Sequence, residues 1–418
     1  MLQAAFPALA TREARVFYAT QLFSLTGTFM QNTVLPVLVY QLTGQPLYLG
    51  LVGFASTLPV LLLTLPGGVL VERLNKRNLI IALQSLMMTH AFLMAAFTVS
   101  GSLTIWSIII LSFFLGIASA IEVIARQTWM VDIVGPKALS NGIALQSTIF
   151  NIARVLGPLL SAPLLLIFGT YRGALAVFLL NAFSYLLVIV ALGILKPRYN
   201  TDEFIMPSNR SWREQFAEGR GFILRTPLVF MLLLMTAIIG LFGTPPLQQI
   251  PAFAQDVLHQ LGDTENAVVT RNSLLFLAQG FGTVLAGITV AIMSNVRQKG
   301  GLLVIGQVVL SAALLGWAAS NSIGYALAIM TLLGWGTVMT LTLTNQMLQM
   351  NTPIELRGRV ISAYLWASQG LSPFGSLLIG WVAQSANVPA ALTVAGCMCL
   401  ITLVGLHLFT PAVHQANA

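Results

Sequence analysis

Charge is what this chain has least of. Asp, Glu, Lys and Arg make up 8% of its 418 residues, against about a quarter in soluble domains. So little charge excludes a soluble domain and points to an integral membrane protein. Cysteine is almost missing: Cys397 and Cys399 stand together in the last apolar run. They cannot form a disulfide framework, and no further ligand lies near enough to complete a metal site. There is no Gly-Lys-Ser/Thr phosphate loop, so ATP is not expected to supply energy, and no His-Glu-x-x-His zinc motif. Neither a cofactor nor a metal is expected. An enzyme or sensor buried in the membrane would need a convergent nucleophile–base or metal set, and none is written here. Short period-two strands are also missing, which argues against a β-barrel. A cleavable leader is not expected, since the first apolar stretch is long and broken by Gln21, Gln31 and Asn32.

What the chain has is apolar length. It is 57% hydrophobic, with a mean hydropathy of +0.86. One membrane helix takes about 20 apolar residues. Twelve such spans are predicted, near 16–40, 47–71, 79–98, 103–128, 141–169, 172–195, 226–250, 270–293, 301–318, 322–347, 359–384 and 388–410. The formal charge of +8 invites a nucleic-acid reading, but the Lys and Arg are scattered between spans rather than gathered on a face. That scatter marks cytoplasmic loops. All but Arg172, Arg271 and the intraspan Arg154 fall on one side, which predicts both termini in the cytoplasm. The bilayer is therefore the expected surrounding, with no nucleic-acid partner.

The longest polar segment, Lys196–Thr226, holds Pro197, Pro207 and charges of both signs. It separates an N-terminal six-helix bundle (1–195) from a C-terminal one (226–418). The linker is 196–225. Its Trp212–Phe222 stretch reads equally as an amphipathic helix on the membrane or as a solvated loop. The halves echo one another. Pro136-Lys137-Ala138-Leu139 before span five has a counterpart in Pro353-Ile354-Glu355-Leu356 before span eleven, and Gly68 in Gly287, about half a chain later in both cases. Parallel repeats of this kind relate the two halves of some transporters.

The stretch Gly68-Val69-Leu70-Val71-Glu72-Arg73-Leu74-Asn75-Lys76-Arg77 joins spans two and three. Its Gly-x-Leu-x-acid-Arg-x-x-basic-basic pattern resembles the loop between helices 2 and 3 of the major facilitator superfamily of transporters. Glu72 stands where Asp is usual, and Asn75 where Gly is usual. The resemblance implies an all-α fold of twelve membrane helices in two pseudo-symmetric bundles. It also implies that Gly68, Glu72, Arg73, Arg77, Arg126, Asp132, Arg357 and Arg359 form a cytoplasmic latch, with Glu72 facing the helix start near Arg357-Gly358-Arg359. Read without the resemblance, these charges would set topology and loop packing only.

Glu122 and Arg126, four residues apart, share a helix face and can pair. Arg154 sits near mid-span in Asn151-Ile152-Ala153-Arg154-Val155-Leu156-Gly157-Pro158. An unpaired arginine there costs about 3 kcal/mol on insertion scales. Ser147, Asn151, Arg154, Pro158 and Ser161 recur at helical spacing, and Glu122 is the nearest carboxylate to offer Arg154 a partner. Either that pairing is structural or Arg154 is linked to substrate or proton. Gly157-Pro158 resembles the span-five motif of exporters in the superfamily, although Ser161-Ala162 stands where that motif has a glycine pair three residues after the proline. With Ile124-Ala125-Arg126-Gln127, Asn151-x-x-Arg154 and Leu356-Arg357-Gly358-Arg359-Val360-x-Ser362, nearly the whole chain resembles the bacterial branch of enterobactin exporters and macrolide efflux proteins.

In that family helices 1, 4, 7 and 10 line the path. Polar stripes then nominate Gln21, Gln31, Asn32, Thr244, Trp335, Asn345, Trp366 and Gln369 as cavity walls. Interhelical hydrogen bonding is the plainer use for any one of them. Such a cavity is poor in charge and suits a bulky, amphipathic, mostly neutral solute. With no nucleotide site, an ion gradient must drive transport. Protons are the default, with Glu122 and Arg154 as coupling candidates. His90 reads as a hydrogen-bonded structural residue, and His259, Asp256, Asp263 and Glu265 as members of a solvated loop. The expectation is a proton-coupled antiporter in the bacterial cytoplasmic membrane, working as a monomer. It would export a small molecule such as a drug or siderophore. An uptake symporter or facilitator of the same fold is the alternative.

Overall fold

The computed structural model describes residues 7–135, 138–195, 212–259, 263–293 and 299–409. Among them every regular element is helical. Ten helices are long and apolar enough to cross a membrane. Two details turn ten into twelve spans. The helix Leu139–Ile194 runs 56 residues, about 84 Å at 1.5 Å per residue and far beyond a hydrocarbon core of about 30 Å. It breaks at Gly169, whose φ of 75° and ψ of 170° suit only glycine. Just beyond, Gly173 lies against the backbone of Leu164 and Leu165, so the two limbs form a hairpin. The other missing span is helical over Ile354–Leu365 and Ser372–Ser385, joined by a π-turn at Trp366–Gly370.

In chain order the spans are α1 (Arg12–Thr43), α2 (Pro46–Arg73), α3 (Lys76–Val99), α4 (Ile105–Val134), α5 (139–168) and α6 (170–194). Then come α7 (Pro227–Val257, broken by turns), α8 (Glu265–Ile292), α9 (Lys299–Ala318), α10 (Ile323–Met350), α11 (the two-piece helix above) and α12 (Val388–Phe409). A separate linker helix covers Trp212–Arg225. Residues 196–211 and the pair Pro136–Lys137, on which the linker and repeat readings partly rest, lie outside the described residues.

The chain divides into two compact units, one of residues 1–42 and 58–207 and the other of 43–57 and 208–418. The division differs from the sequence boundaries at two places: the linker 196–225 is divided between the two units at 207/208, and residues 43–57, almost all of them the start of α2, join the second unit. Glycine is the physical reason. A Cβ on Gly50 would meet the carbonyl of Ser376 and lie 3.0 Å from the Gly380 Cα. Phe54 meets Phe374 edge-on with centroids 6.2 Å apart, and Gln249 Nε2 donates to the Pro46 carbonyl at 3.4 Å.

In the first unit the core gathers around Phe17, Tyr18, Trp129, Ala125 and Ile133. Phe17 meets Trp129 edge-on at 5.5 Å. The Tyr18 hydroxyl donates to the Gly142 carbonyl at 3.0 Å, tying α1 to α5. Helix ends are capped locally. Thr104 and Ser107 form a capping box on α4. Asn75 is the N-cap of α3, with φ −63°, and its side chain accepts from the Asn78 N–H. The turn there needs no positive φ, so Asn serves where the usual motif has Gly.

In the second unit, close crossings on glycine set the packing. Gly282 lies against the Thr331 carbonyl and Gly334 against the Gln279 carbonyl, which seats α8 on α10. Gly336 approaches Leu310, joining α9 to α10. Small residues at such crossings let helix backbones touch where lipid supplies no hydrophobic drive.

Candidate functional site

The buried charges of the first unit compensate one another. Glu122 and Arg126 sit one turn apart on α4, 4% and 8% exposed. Their N···O distance is 3.5 Å. Gln84 Nε2 on α3 donates to Glu122 Oε1 at 3.1 Å, and Arg126 Nη1 donates to Gln21 Oε1 on α1. Three helices thus meet at one ion pair. Removing one partner of such a pair costs about 3–5 kcal/mol, because the other charge stays buried. Six residues beyond Arg126 along α4, Asp132 is paired with Lys76 at 3.7 Å, both nearly sealed. Lys76 was not singled out from the sequence. Its place immediately after the Asn75 cap aims it back at α4, and only the fold could supply that.

The other basic residues of the 68–77 loop separate. Arg77 donates through Nε and Nη2 to the carbonyls of Leu192 and Gly193, each at 2.6 Å. These are orphan carbonyls at the end of α6, where a cation is favoured. Gly68, Glu72 and Arg73 belong to α2, but their side chains lie outside the described residues. In the second unit Arg359 donates to Glu218 of the linker helix at 2.6 Å, and Gly219 of that helix packs on the Arg359 stem. Arg357 is exposed.

Arg154 departs from expectation. Glu122 is engaged by Arg126 and Gln84, and no acid among the described residues reaches Arg154. Its guanidinium lies over two rings instead, 5.9 Å from the Phe29 centroid and 4.9 Å from that of Phe150. The rings meet edge-on at 5.1 Å. One residue-turn further, Gly157 brings α5 onto α1: a Cβ there would fall 2.5 Å from Phe29 Cβ and 2.9 Å from the Met30 nitrogen. Gly157 and Pro158 are both buried. The span-five motif is therefore a contact between α5 and α1 in the first unit.

The cavity candidates divide. Gln21 and Gln31 are 1% and 2% exposed. Gln21 holds Arg126, and Gln31 Oε1 accepts from Asn181 Nδ2 at 2.8 Å, which in turn donates to the Tyr185 hydroxyl at 3.3 Å. These amides knit α1 to α4 and α6. Asn32, Trp366 and Gln369 are exposed, and Thr244, Trp335 and Asn345 partly so. Trp335 Nε1 donates to Thr289 at 3.1 Å, and Asn345 accepts from Gln349 on its own helix.

Thr244, Trp366 and Gln369 share a feature that the residue pattern did not show. They flank or occupy π-turns, at Ile239–Gly243 in α7 and Trp366–Gly370 in α11. Such turns cluster at functional sites. The two touch: Gly240 lies on the Ala367 carbonyl and Gly375 on that of Leu241. An apolar cavity of about 400 Å3 lies elsewhere in the second unit, walled by Phe230, Met231, Leu234, Met235, Ile401, Thr402 and Gly405. It contains none of the candidate residues.

Two smaller expectations are corrected. His90 is 4% exposed, yet neither ring nitrogen finds a partner among the described residues, so it is buried without the expected hydrogen bond. Asp263 is not solvated. It is paired with Arg271, whose Nη1 also donates to the Leu258 carbonyl at 2.8 Å. His259 lies 3.5 Å from the same carboxylate and is largely exposed. No group of three or more His, Cys, Asp or Glu able to hold a metal occurs among the described residues.

Among the described residues, twelve apolar helices, with most of their intramembrane charges compensated, define a multi-pass membrane protein with the fold of major facilitator transporters. Solved structures agree on the fold. A D-xylose–proton symporter superposes with a TM-score of 0.71 at 12% identity, over 95% of this chain and 98% of that one. The nucleoside transporter NupG gives 0.70 at 10% identity, over 96% and 99%. The sequence profile of the transmembrane secretion effector family matches residues 3–418, and the chain belongs to that family. Three relatives are similar in sequence. The staphyloferrin A transporter of Staphylococcus aureus is 25% identical, but over 42% of this chain and only 44% of the transporter. The multidrug efflux pump Tap of Mycolicibacterium fortuitum is 21% identical over 87% of each. An uncharacterized transporter of Bacillus subtilis, YfiS, is 26% identical over 93% of this chain and 91% of its own.

Proposed function

We propose that the protein is a proton-coupled antiporter that exports an amphipathic small molecule, a drug or siderophore, from the cytoplasm by alternating access. The observation that carries this reading is the sealed Glu122–Arg126–Gln21–Gln84 cluster, which joins three helices of one unit around a buried carboxylate. Protonating Glu122 would release Arg126 and alter every contact in the cluster. A coupling group must change its surroundings in this way between states. The multidrug efflux pump among the relatives supports the outward direction, and it and the staphyloferrin A transporter support the solute class.

The Lys76–Asp132 pair and the Arg359–Glu218 pair serve as cytoplasmic latches in this account, each within its own unit. Both termini lie in the cytoplasm, the chain acts as a monomer in the bacterial inner membrane, and within the second unit Thr244, Trp366 and Gln369 contact the solute. Everted membrane vesicles given an inward-acid gradient test the direction. Concentrative entry of ethidium or fluorescein, collapsed by a protonophore, is the expected result. Gradient-driven accumulation in intact cells instead would assign uptake.

A further inference from the structure

We infer that Arg154, flanked by Phe29 and Phe150, is the recognition point for an anionic group on the transported compound: a carboxylate or similar planar oxyanion joined to a flat apolar portion. The inference rests on the transport reading above and deepens it by naming the solute's chemistry.

Depth is the first argument. Arg154 lies midway along α5, about 20 Å from either end at the helical rise. A cation so placed is expensive unless something balances it, and intramembrane ionisable residues mark solute pathways by default. The second argument is contrast. Arg126 has Glu122 and Gln21, Lys76 has Asp132, Arg271 has Asp263 and the Leu258 carbonyl, and Arg77 has two helix-end carbonyls. Among the described residues Arg154 has ring faces only.

A ring face attracts the cation but takes no hydrogen bond. The five N–H donors of the guanidinium therefore remain unspent, in a fork that matches a carboxylate bidentately. Access comes third: Arg126 is sealed, whereas Arg154 is mostly buried but keeps some exposure, and Phe150 beside it is 38% exposed. Ser147, which shares its face at helical spacing, is exposed, and Asn151 partly so. A guanidinium keeps its proton at any physiological pH, so Arg154 cannot carry the transported proton and stays a fixed positive charge. Its depth argues against a lipid headgroup. The Phe29–Phe150 pair offers a wall for an aromatic or acyl portion next to the anion.

The test is calorimetric titration of the full-length protein in nanodiscs of zwitterionic lipid with two probes, naphthoate and its neutral carboxamide. The wild type is expected to bind the acid about ten- to a hundredfold more tightly than the amide, the size of a charge-assisted contact. Arg154→Gln should bring the two to about equal affinity. Equal affinities in the wild type, no binding of either probe up to about 10 mM, or a preference that survives in Arg154→Gln would each overturn the assignment. Where Arg154→Gln does not yield a monodisperse species, Arg154→Lys replaces it. The loss of the planar fork should then lower the acid-over-amide ratio about tenfold, and an unchanged ratio counts against the assignment. Binding requires neither gradient nor direction. A protein that prefers the acid through Arg154 but fails to pump overturns the transport reading alone, and one that pumps without this preference overturns the inference alone.

Discussion

Glu122 and Arg126 make opposite demands on a variant. Arg126→Ala strips a buried carboxylate of its counter-ion, so we expect a loss of about 3–5 kcal/mol, read as a sharp fall in melting temperature or in monodisperse yield. Glu122→Gln keeps the shape and a hydrogen-bonding side chain, so it should fold while losing pH-gradient-driven transport. Full gradient-driven transport by folded Glu122→Gln would move the coupling role to another group. Asn75 gives a finer test. Because Asn75 caps α3 with a negative φ, restoring the glycine usual in the motif should lower stability by about a few tenths of a kcal/mol. A gain measured by thermal unfolding would mean the turn wants a positive φ.

At this scale the sequence announced the Glu122–Arg126 pair, because four-residue spacing on a helix is a local fact. It could not assign a partner to Arg154. Whether Glu122 or a ring face meets that cation depends on how α1, α4 and α5 rotate, and spacing within α5 carries no such information. The same limit hid the unpartnered nitrogens of His90 and the reach of Lys76 to Asp132.

Elements were legible where apolar length decides them. The twelve spans follow from runs of about 20 residues, and Gly169 marks the α5–α6 reversal in a chain otherwise helical across it. The π-turns in α7 and α11 were not legible. They form where Gly240 and Gly375 let each helix lie on the other's carbonyls, a tertiary condition with no periodic trace. Gly375→Val puts a branched side chain against the Leu241 backbone and should force α7 and α11 apart. We expect transport to fall with the protein still in the membrane, checked by dye efflux at matched expression. The linker helix makes a contrasting case. Glu218 is half exposed in its pair with Arg359, and pairs of that kind contribute about 0–1 kcal/mol. Glu218→Gln should therefore leave the melting temperature nearly unchanged, while a large drop would reveal a stronger clamp.

For the whole molecule, sequence order assigned all of α2 to the first half, yet residues 43–57 belong by contact to the second unit. The cause is the approach of Gly50 to Gly380, two residues far apart in the chain whose meeting no local pattern records. The class of protein was nevertheless readable from the loop at 68–77, because charges placed abruptly between apolar runs are both a topological and a family signal. Purified protein in liposomes carrying an internal pH dye provides the most direct test of the exchange. With fluorescein outside and no initial gradient, entry of the solute should drive protons outward and raise the internal pH in wild type but not in Glu122→Gln. Solute entry with no pH change in wild type would contradict proton antiport.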